Sequence, residues 1–261
     1  MSSEQKKIKI AVIIPARFAS TRFPGKPLVQ LCGKPMLQWA IEGSKTSSLV
    51  SEIFVATDHV EIARLSEQCG VRALMTSSEC QTGSDRVFEA LQILKKENKF
   101  FDVVINVQGD EPLINKNFID PLVEAFINEP SLDMATMSHP LKLNDIDNLN
   151  AVKVLLNQKS EAIYFSRWGI PFSREKFSEG LFDHVVQKHI GLYGYKTEFL
   201  EKFCLSPQSQ LEKSESLEQL RALHLGAKIK VISVTEPIQG IDTPEDLIVF
   251  EKKQQGLNEK K

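Results

Sequence analysis

Thirteen residues, Pro15 to Lys26 and the following Pro27, gather three cations, two hydroxyls and a glycine into one short polar segment. Its backbone N–H groups and the hydroxyls of Ser20 and Thr21 can ring phosphate oxygens, while Arg17, Arg22 and Lys26 neutralise them. That inventory suits a triphosphate. The segment contains neither a P-loop nor GxGxxG, so the common ATPase and dinucleotide devices are excluded. A solvated basic surface loop would have the same composition. What favours a ligand is its place directly after the first apolar run, Ile8 to Ile14, because open α/β sheets bind ligands beyond the carboxyl ends of their strands.

Two acids complete the chemistry. Asp110 follows the nearly continuous apolar run Val103 to Val107 in the turn Gln108-Gly109-Asp110-Glu111-Pro112. A carboxylate there can hold Mg2+, which takes one or two carboxylates and fills its octahedron with phosphate and water. The same five residues would also make a plain turn. The second acid is Asp242, before Thr243-Pro244-Glu245-Asp246. Thr243 can cap a helix with Pro244 at its first position, which leaves Asp242 for a ligand unless it joins the cap itself.

Elements that could position these groups follow from the pattern. Short β-branched runs alternate with amphipathic stretches, the signature of βαβ units and a mainly parallel sheet. After the polar tail Met1 to Lys7, strands are predicted over Ile8–Ile14, stopping at Pro15, and over Ile53–Ala56, Val71–Met75 and Val103–Val107. Helices are predicted from Pro35 through Ile41, over Val60–Cys69 and over Thr82–Asn98, where Val87, Ala90, Leu91 and Leu94 form one stripe and Thr82 or Ser84 caps. Beyond Pro130 strands come in quick succession, at Met134–Met137, Ala151–Leu156, Ala162–Phe165 and Ile190–Tyr195. A charged helix carrying Leu217, Leu220 and His224, a strand over Ile229–Val234 and a helix from Thr243 follow, with the tail from Glu251 expected to fray. The expected organisation is one α/β domain over 1–261, with a smaller mixed or antiparallel extension over 131–225.

The totals narrow the function classes. The chain has 261 residues, 42% hydrophobic and 25% charged, and a net charge of −2. A folded core is expected, and bulk electrostatic binding of nucleic acid or anionic membrane is not. Cys32, Cys69, Cys80 and Cys204 show neither CxxC nor zinc spacing, which fits a reducing compartment. No stretch near the start is long enough for a signal peptide or membrane span, so the expected location is cytoplasmic.

Taken in order, Ile13–Arg17, Pro24–Leu28, Val55–Asp58, Asn106–Pro112, Tyr164–Arg167, His189–Tyr195, Leu217–Arg221 and Asp242–Asp246 resemble the 3-deoxy-manno-octulosonate (Kdo) cytidylyltransferase family over nearly the whole chain. The resemblance implies a Rossmann-like nucleotide-sugar nucleotidyltransferase fold, a homodimer, and the reaction CTP + Kdo → CMP-Kdo + diphosphate with Mg2+. It puts Arg17, Ser20, Arg22 and Lys26 on the CTP phosphates, Thr76, Arg86 and Gln108 near the nucleotide, and Asp110 and Asp242 on the metal. Arg17, Lys26, Asp110 and Asp242 are thereby implied as catalytic. Arg167, His189, Tyr193, Glu218 and Gln219 would line the sugar-acid pocket, with the planar Arg167 fork suited to a carboxylate. Taken by themselves, His189 and Tyr193 could equally be packed strand residues, and Glu218 and Gln219 a solvated helix face.

The chain departs from the family pattern at Phe18, Phe23, Trp168, Lys188 and Gln210, and in the order of the hydroxyls in Thr82-Gly83-Ser84. Those near the sugar pocket leave an 8-amino analogue or another acid sugar open as substrate. A non-catalytic nucleotide-sugar sensor is the alternative outside enzymes.

Overall fold

The structure is a computed structural model that describes residues 8–19, 23–172, 174, 185–235, 240–241 and 243–258. Its chain gathers into two compact units, 1–123 with 238–261, and 124–237. The extension expected over 131–225 lies inside the second.

The first unit is built on β1 (Ile10–Ala16), followed by a two-stranded hairpin of β2 (Gln30–Leu31) and β3 (Lys34–Pro35) and then α1 (Met36–Ser44). Next come β4 (Glu52–Thr57), α2 (Val60–Gln68), β5 (Arg72–Met75), α3 (Gly83–Lys96) and β6 (Val103–Asn106). The large strands are all parallel in the order β6-β1-β4-β5. From β1 the chain steps outward to β4 and β5, then returns to the opposite side of β1 for β6. The reversal makes a topological switch point between β1 and β6, where the loops after the two strands leave in opposite directions and open a crevice. Residues Ala11 to Ile14 of β1 and Val104 and Ile105 of β6 are fully buried, as a sheet covered on both faces requires.

β1 does not stop at Pro15 as the sequence suggests; it runs to Ala16, with Pro15 opposite Ala56. The Ile13 carbonyl accepts from Val107 N, so Ile13, and with it Pro15 two residues on, turn their backbone polar groups toward β6. Pairing with β6 ends at Ile13, so the N–H that Pro15 lacks removes no ladder bond. Pro35 takes the N-cap of α1 rather than its first turn. Thr82 caps α3 reciprocally with Asp85.

α4 (Lys116–Asn128) carries the chain from the first unit to the second. It is an element the sequence analysis does not predict: Pro121 sits inside a helical stripe of Ile119, Leu122, Val123 and Phe126, all four of which are buried.

The second unit contains β7 (Met134–Pro140), β8 (Lys153–Leu156), β9 (Ala162–Ser166) and β10 (Val186–Lys196), then α5 (Thr197–Leu205), α6 (Gln210–Glu215), α7 (Gln219–His224) and β11 (Ile229–Ser233). Its strands run in the order β11-β7-β10-β8-β9, antiparallel except for the parallel pair β11 and β7. Glu161, just before β9, bridges Lys230 of β11, so the sheet curls back on itself. The single charged helix expected here is two, α6 and α7, separated at Ser216, whose φ of 52° is left-handed. A bidentate pair between Glu212 and Arg221, at 2.7 and 2.9 Å, locks the two helices together, with Arg221 over the Phe203 ring.

α8 (Pro244–Asn258) returns to the first unit and continues through Glu251 instead of fraying there. Phe250 is fully buried with Leu31, Met36 and Ile241, and Glu251 accepts the Cys32 N–H at 3.1 Å.

Gly43 in α1 lies against the turn that follows Asp110: a Cβ built on it would stand 1.9 Å from the Ile114 carbonyl oxygen. Helix propensity alone favours alanine over glycine by about 1 kcal/mol, whereas overpacking costs about 1–3 kcal/mol and more against backbone. Gly43→Ala is expected to destabilise by about 2 kcal/mol in urea unfolding. A stabilised variant would show that this contact does not constrain the turn.

Candidate active site

A cavity of about 230 Å3 opens at the switch point of the first unit, lined by Pro15 to Arg17 after β1, Lys26 and Pro27, the segment Cys80 to Gly83 with Arg86, and Gln108 to Asp110 after β6. The basic loop folds over its edge through Gly25, whose φ of 67° suits glycine and whose N–H bonds the Phe18 carbonyl at 3.0 Å. Leu28 N–H then bonds the Gly25 carbonyl at 2.8 Å and turns Lys26 inward. Lys26 Nζ forms an ion pair with Asp110, its side chain only 11% exposed. Opposed charges thus meet in one cavity, as the sequence reading required of the two loops. The amino end of α3, at Thr82 and Gly83, adds the positive pole of a helix to the same wall.

Arg17 is exposed at the rim and Gln108 lies in the wall, its amide donating to Asn106 Oδ1 at 3.3 Å. Ser20, Arg22 and Asp242 lie outside the described residues. Next to the last of these, Ile241 N–H bonds the Asp110 carbonyl at 3.0 Å.

Thr76 and Arg86 serve the cavity from beneath. The Arg86 guanidinium donates to Thr76 Oγ1 at 2.7 Å and to Asp58 Oδ2 at 2.9 Å, with side-chain exposures of 3% for Arg86 and 12% for Asp58. The second Asp58 oxygen accepts the Phe18 N–H at 3.3 Å, and His59 stacks on the Phe18 ring with centroids 4.0 Å apart. Asp58 therefore anchors the foot of the basic loop to α3. Asp58 closes the motif Val55–Asp58, and an acid directly after a parallel strand is the signal in the sequence that could have found its role. Cys80, Gln81 and Thr82 in the cavity wall were also missed, since nothing local marks them.

The residues assigned to a sugar acid fall in the second unit. His189 Nε2 lies 2.9 Å from Thr136 Oγ1, and its ring packs against Phe165 and Tyr193 at centroid distances of 5.0 and 5.5 Å. Burial pushes its imidazole down to about 3, so it is neutral near pH 7 and offers hydrogen bonds rather than charge. The Tyr193 hydroxyl donates to Gln219 Oε1 at 3.4 Å. Gln219 Nε2 is buried and has no hydrogen-bond partner among the described residues. A buried donor left open is what a site for an oxygen-rich ligand provides. Gln219, 3% exposed, is no solvated helix face, while Glu218 beside it is half-buried at the N-cap of α7.

Arg167 is tied by all three of its guanidinium nitrogens to backbone carbonyls, two of them at the turn that ends α6. Its Nε donates to the Glu215 carbonyl at 2.8 Å, Nη1 to Leu149 at 3.3 Å and Nη2 to Ser216 at 3.4 Å. Glu215 in return accepts from Arg167 N–H and from the Ser166 hydroxyl, both at 2.8 Å. Below it the fully buried Lys153 donates to the carbonyls of Arg167 and Asn148, and burial lowers its pKa. Arg167 thereby fixes the turn that presents Glu218 and Gln219.

For a metal, Asp110 is the carboxylate on the cavity, and no cluster of three or more His, Cys, Asp or Glu occurs among the described residues. One cavity carboxylate beside cationic phosphate ligands fits Mg2+, and does not fit a cation held entirely by protein.

A parallel sheet with a basic, carboxylate-bearing crevice at its switch point defines the nucleotidyltransferase class. The cytidylyltransferase family model matches residues 11–229. A 3-deoxy-manno-octulosonate cytidylyltransferase of Bdellovibrio bacteriovorus is 51% identical over 94% of this chain and 97% of its own length. One from Thermodesulfovibrio yellowstonii is 47% identical over 92% and 96%. Among solved structures, a CMP:2-keto-3-deoxy-manno-octonic acid synthetase complexed with CTP superposes with a TM-score of 0.87 at 33% identity, covering 95% of this chain and 99% of that one. The chain belongs to the 3-deoxy-manno-octulosonate cytidylyltransferase family.

The histidine states carry a pH dependence. His189 titrates far below the ordinary histidine value, and His139 is lowered in the same direction, by burial first and the Lys188 charge second. The unfolded chain binds protons near pH 6.5 that the folded chain refuses, so stability is complete above that pH and falls below it. His189 is expected to remove about 1.4 kcal/mol per pH unit between about pH 6 and 4, and His139 adds to the loss in the same direction. Urea unfolding of wild type and His189→Gln across that range should show a shallower slope for the variant; equal slopes would contradict the buried neutral state.

Proposed function

We infer that this chain catalyses CTP + 3-deoxy-D-manno-octulosonate → CMP-Kdo + diphosphate. The observation that carries the reading is Lys26 set against Asp110 in a basic crevice at the switch point, in a chain of this family. The sugar hydroxyl attacks the α-phosphorus as its bond to the diphosphate oxygen breaks, so most of the work is positioning and charge stabilisation. Lys26 and Arg17 take up negative charge on the phosphate oxygens, and the amino end of α3 adds to them. His189, Tyr193, Glu218 and Gln219 hold the sugar acid, His189 as a neutral hydrogen-bonding ring. Asp110, with Asp242, would hold Mg2+, which supplies Lewis-acid polarisation of the phosphate and a template for the two substrates.

Release of diphosphate should require CTP, Kdo and Mg2+ together, and Lys26→Ala is expected to lower kcat about 10²-fold, the loss typical of one preorganised charge donor. No release above a protein-free control would overturn the reading. Release with Asp110→Asn equal to wild type would overturn the role of that carboxylate.

A homodimer and a cytoplasmic setting belong to the same reading. Trp168 and Phe172, 71% and 89% exposed, stand with Ile163 on and after the β9 edge of the second unit, which suits an interface with a second copy. Sedimentation of the wild type as a monomer at micromolar concentration would contradict it. Cys32, Cys69, Cys80 and Cys204 are thiols and form no disulfide, as a reducing compartment favours. No described helix is long and apolar enough to cross a membrane.

A further inference from the structure

The wall opposite in character to the basic loop is the segment between β5 and α3, which brings the uncharged Cys80, Gln81 and Thr82 to the cavity. Before the α3 amino end at Thr82 and Gly83, that segment brings no cation to the cavity, so what Cys80 and Gln81 can serve is the uncharged part of a nucleotide, base and ribose. Its shape is not self-supporting. The segment leaves the sheet at Thr76, which Arg86 grips by the hydroxyl, and reaches α3 at the Thr82 cap. Between these ends the hold comes from Glu89, one turn beyond Arg86 on α3. One carboxylate oxygen accepts Ser77 N–H at 2.9 Å and the other accepts the Cys80 thiol at 3.0 Å. Two donors three residues apart are thus drawn to one rigid helical carboxylate. Inner bonds, from Glu79 N–H to Ser77 Oγ at 3.0 Å and from the Gln81 amide to the Glu79 carbonyl at 3.1 Å, tighten the bend that results.

We propose that Glu89 is a positioning residue for nucleotide recognition, holding Ser77 and Cys80 so that the uncharged wall of the cavity fits base and ribose. The proposal rests on the reading of the cavity as the CTP site. It assigns Glu89 no contact with substrate and no part in phosphoryl chemistry, so its loss acts on nucleotide affinity and leaves the chemical step alone. Cys80 reports the latch independently. Burial first, then the hydrogen bond and charge of Glu89, push its thiol up to about 12, which keeps it protonated and slow toward alkylating reagents.

Glu89→Gln keeps the shape of the side chain but can accept only through one atom, so one of the two donors faces an amide NH2. Cys80→Ala removes one donor while leaving α3 untouched, and Cys80→Ser keeps a donor in place. With wild type and these variants, Glu89→Gln is expected to raise KM for CTP roughly tenfold, one charge-assisted hydrogen bond in size, with kcat and KM for Kdo within about twofold. Cys80→Ala should raise KM for CTP in the same direction, and Cys80→Ser, which keeps a donor for Glu89, should raise it clearly less. In chains whose other three cysteines are serine, iodoacetamide should label Cys80 at least about threefold faster when Glu89 is Gln. A fall in kcat at unchanged KM for CTP, or equal loss in Cys80→Ser and Cys80→Ala, would overturn the positioning role, as would an unchanged labelling rate. Wild type inert toward CTP would remove the functional reading, while the labelling comparison would still judge the latch.

Discussion

Much of the nucleotide side depends on one buried ion pair, Arg86 with Asp58. An arginine 3% exposed has given up its hydration, and what replaces water is one carboxylate and one threonine hydroxyl. A pair in that situation adds little as net stability, yet removing one partner leaves an uncompensated charge and costs about 3–5 kcal/mol. Its geometric effect exceeds its energetic one. Asp58 directly follows β4, Thr76 directly follows β5, Arg86 lies in the first turn of α3 and Phe18 belongs to the basic loop after β1, so four pieces of chain are referred to a single guanidinium. The loop that carries Arg17 is therefore held at its foot by groups of the protein itself, which is where an enzyme that works by positioning gains most.

The second unit follows the same logic with different groups. Arg167 and Arg221 each bind a glutamate of α6, one through its backbone carbonyl and one through a bidentate pair, and together they fix the turn at Ser216. Around Gln219, whose amide nitrogen has no partner among the described residues, stand the Tyr193 hydroxyl and, packed on that ring, the buried neutral His189 imidazole, with the acidic Glu218 beside Gln219 at the N-cap of α7.

What was legible in the sequence divides along physical lines. Strands β1, β4 and β6 and the stripe of α3 announce themselves through burial on both faces or along one side. The cations and Asp110 were legible because charge beside a strand end is unusual enough to need a reason. Arg86 lines the cavity, but its grip on Thr76 and Asp58 was not legible, because sequence does not show which groups an arginine meets in the fold. The hold of Arg167 on backbone carbonyls was hidden for the same reason, since no side-chain pattern reveals a carbonyl partner. Pro15 misled because a proline ends a strand only where its N–H was needed. The split between α6 and α7 turns on one left-handed serine that carries no glycine signal.

The most direct test of Arg86 and Asp58 as one device is a double-mutant cycle with CTP affinity as readout, comparing Asp58→Asn, Arg86→Met and the doubly substituted chain. Each single change is expected to weaken CTP binding by roughly tenfold or more, and the double change no further than the worse single, a coupling of about 1.5 kcal/mol or more. Losses that add to within about 0.5 kcal/mol would mean that the two residues act separately and that the loop does not stand on their pair.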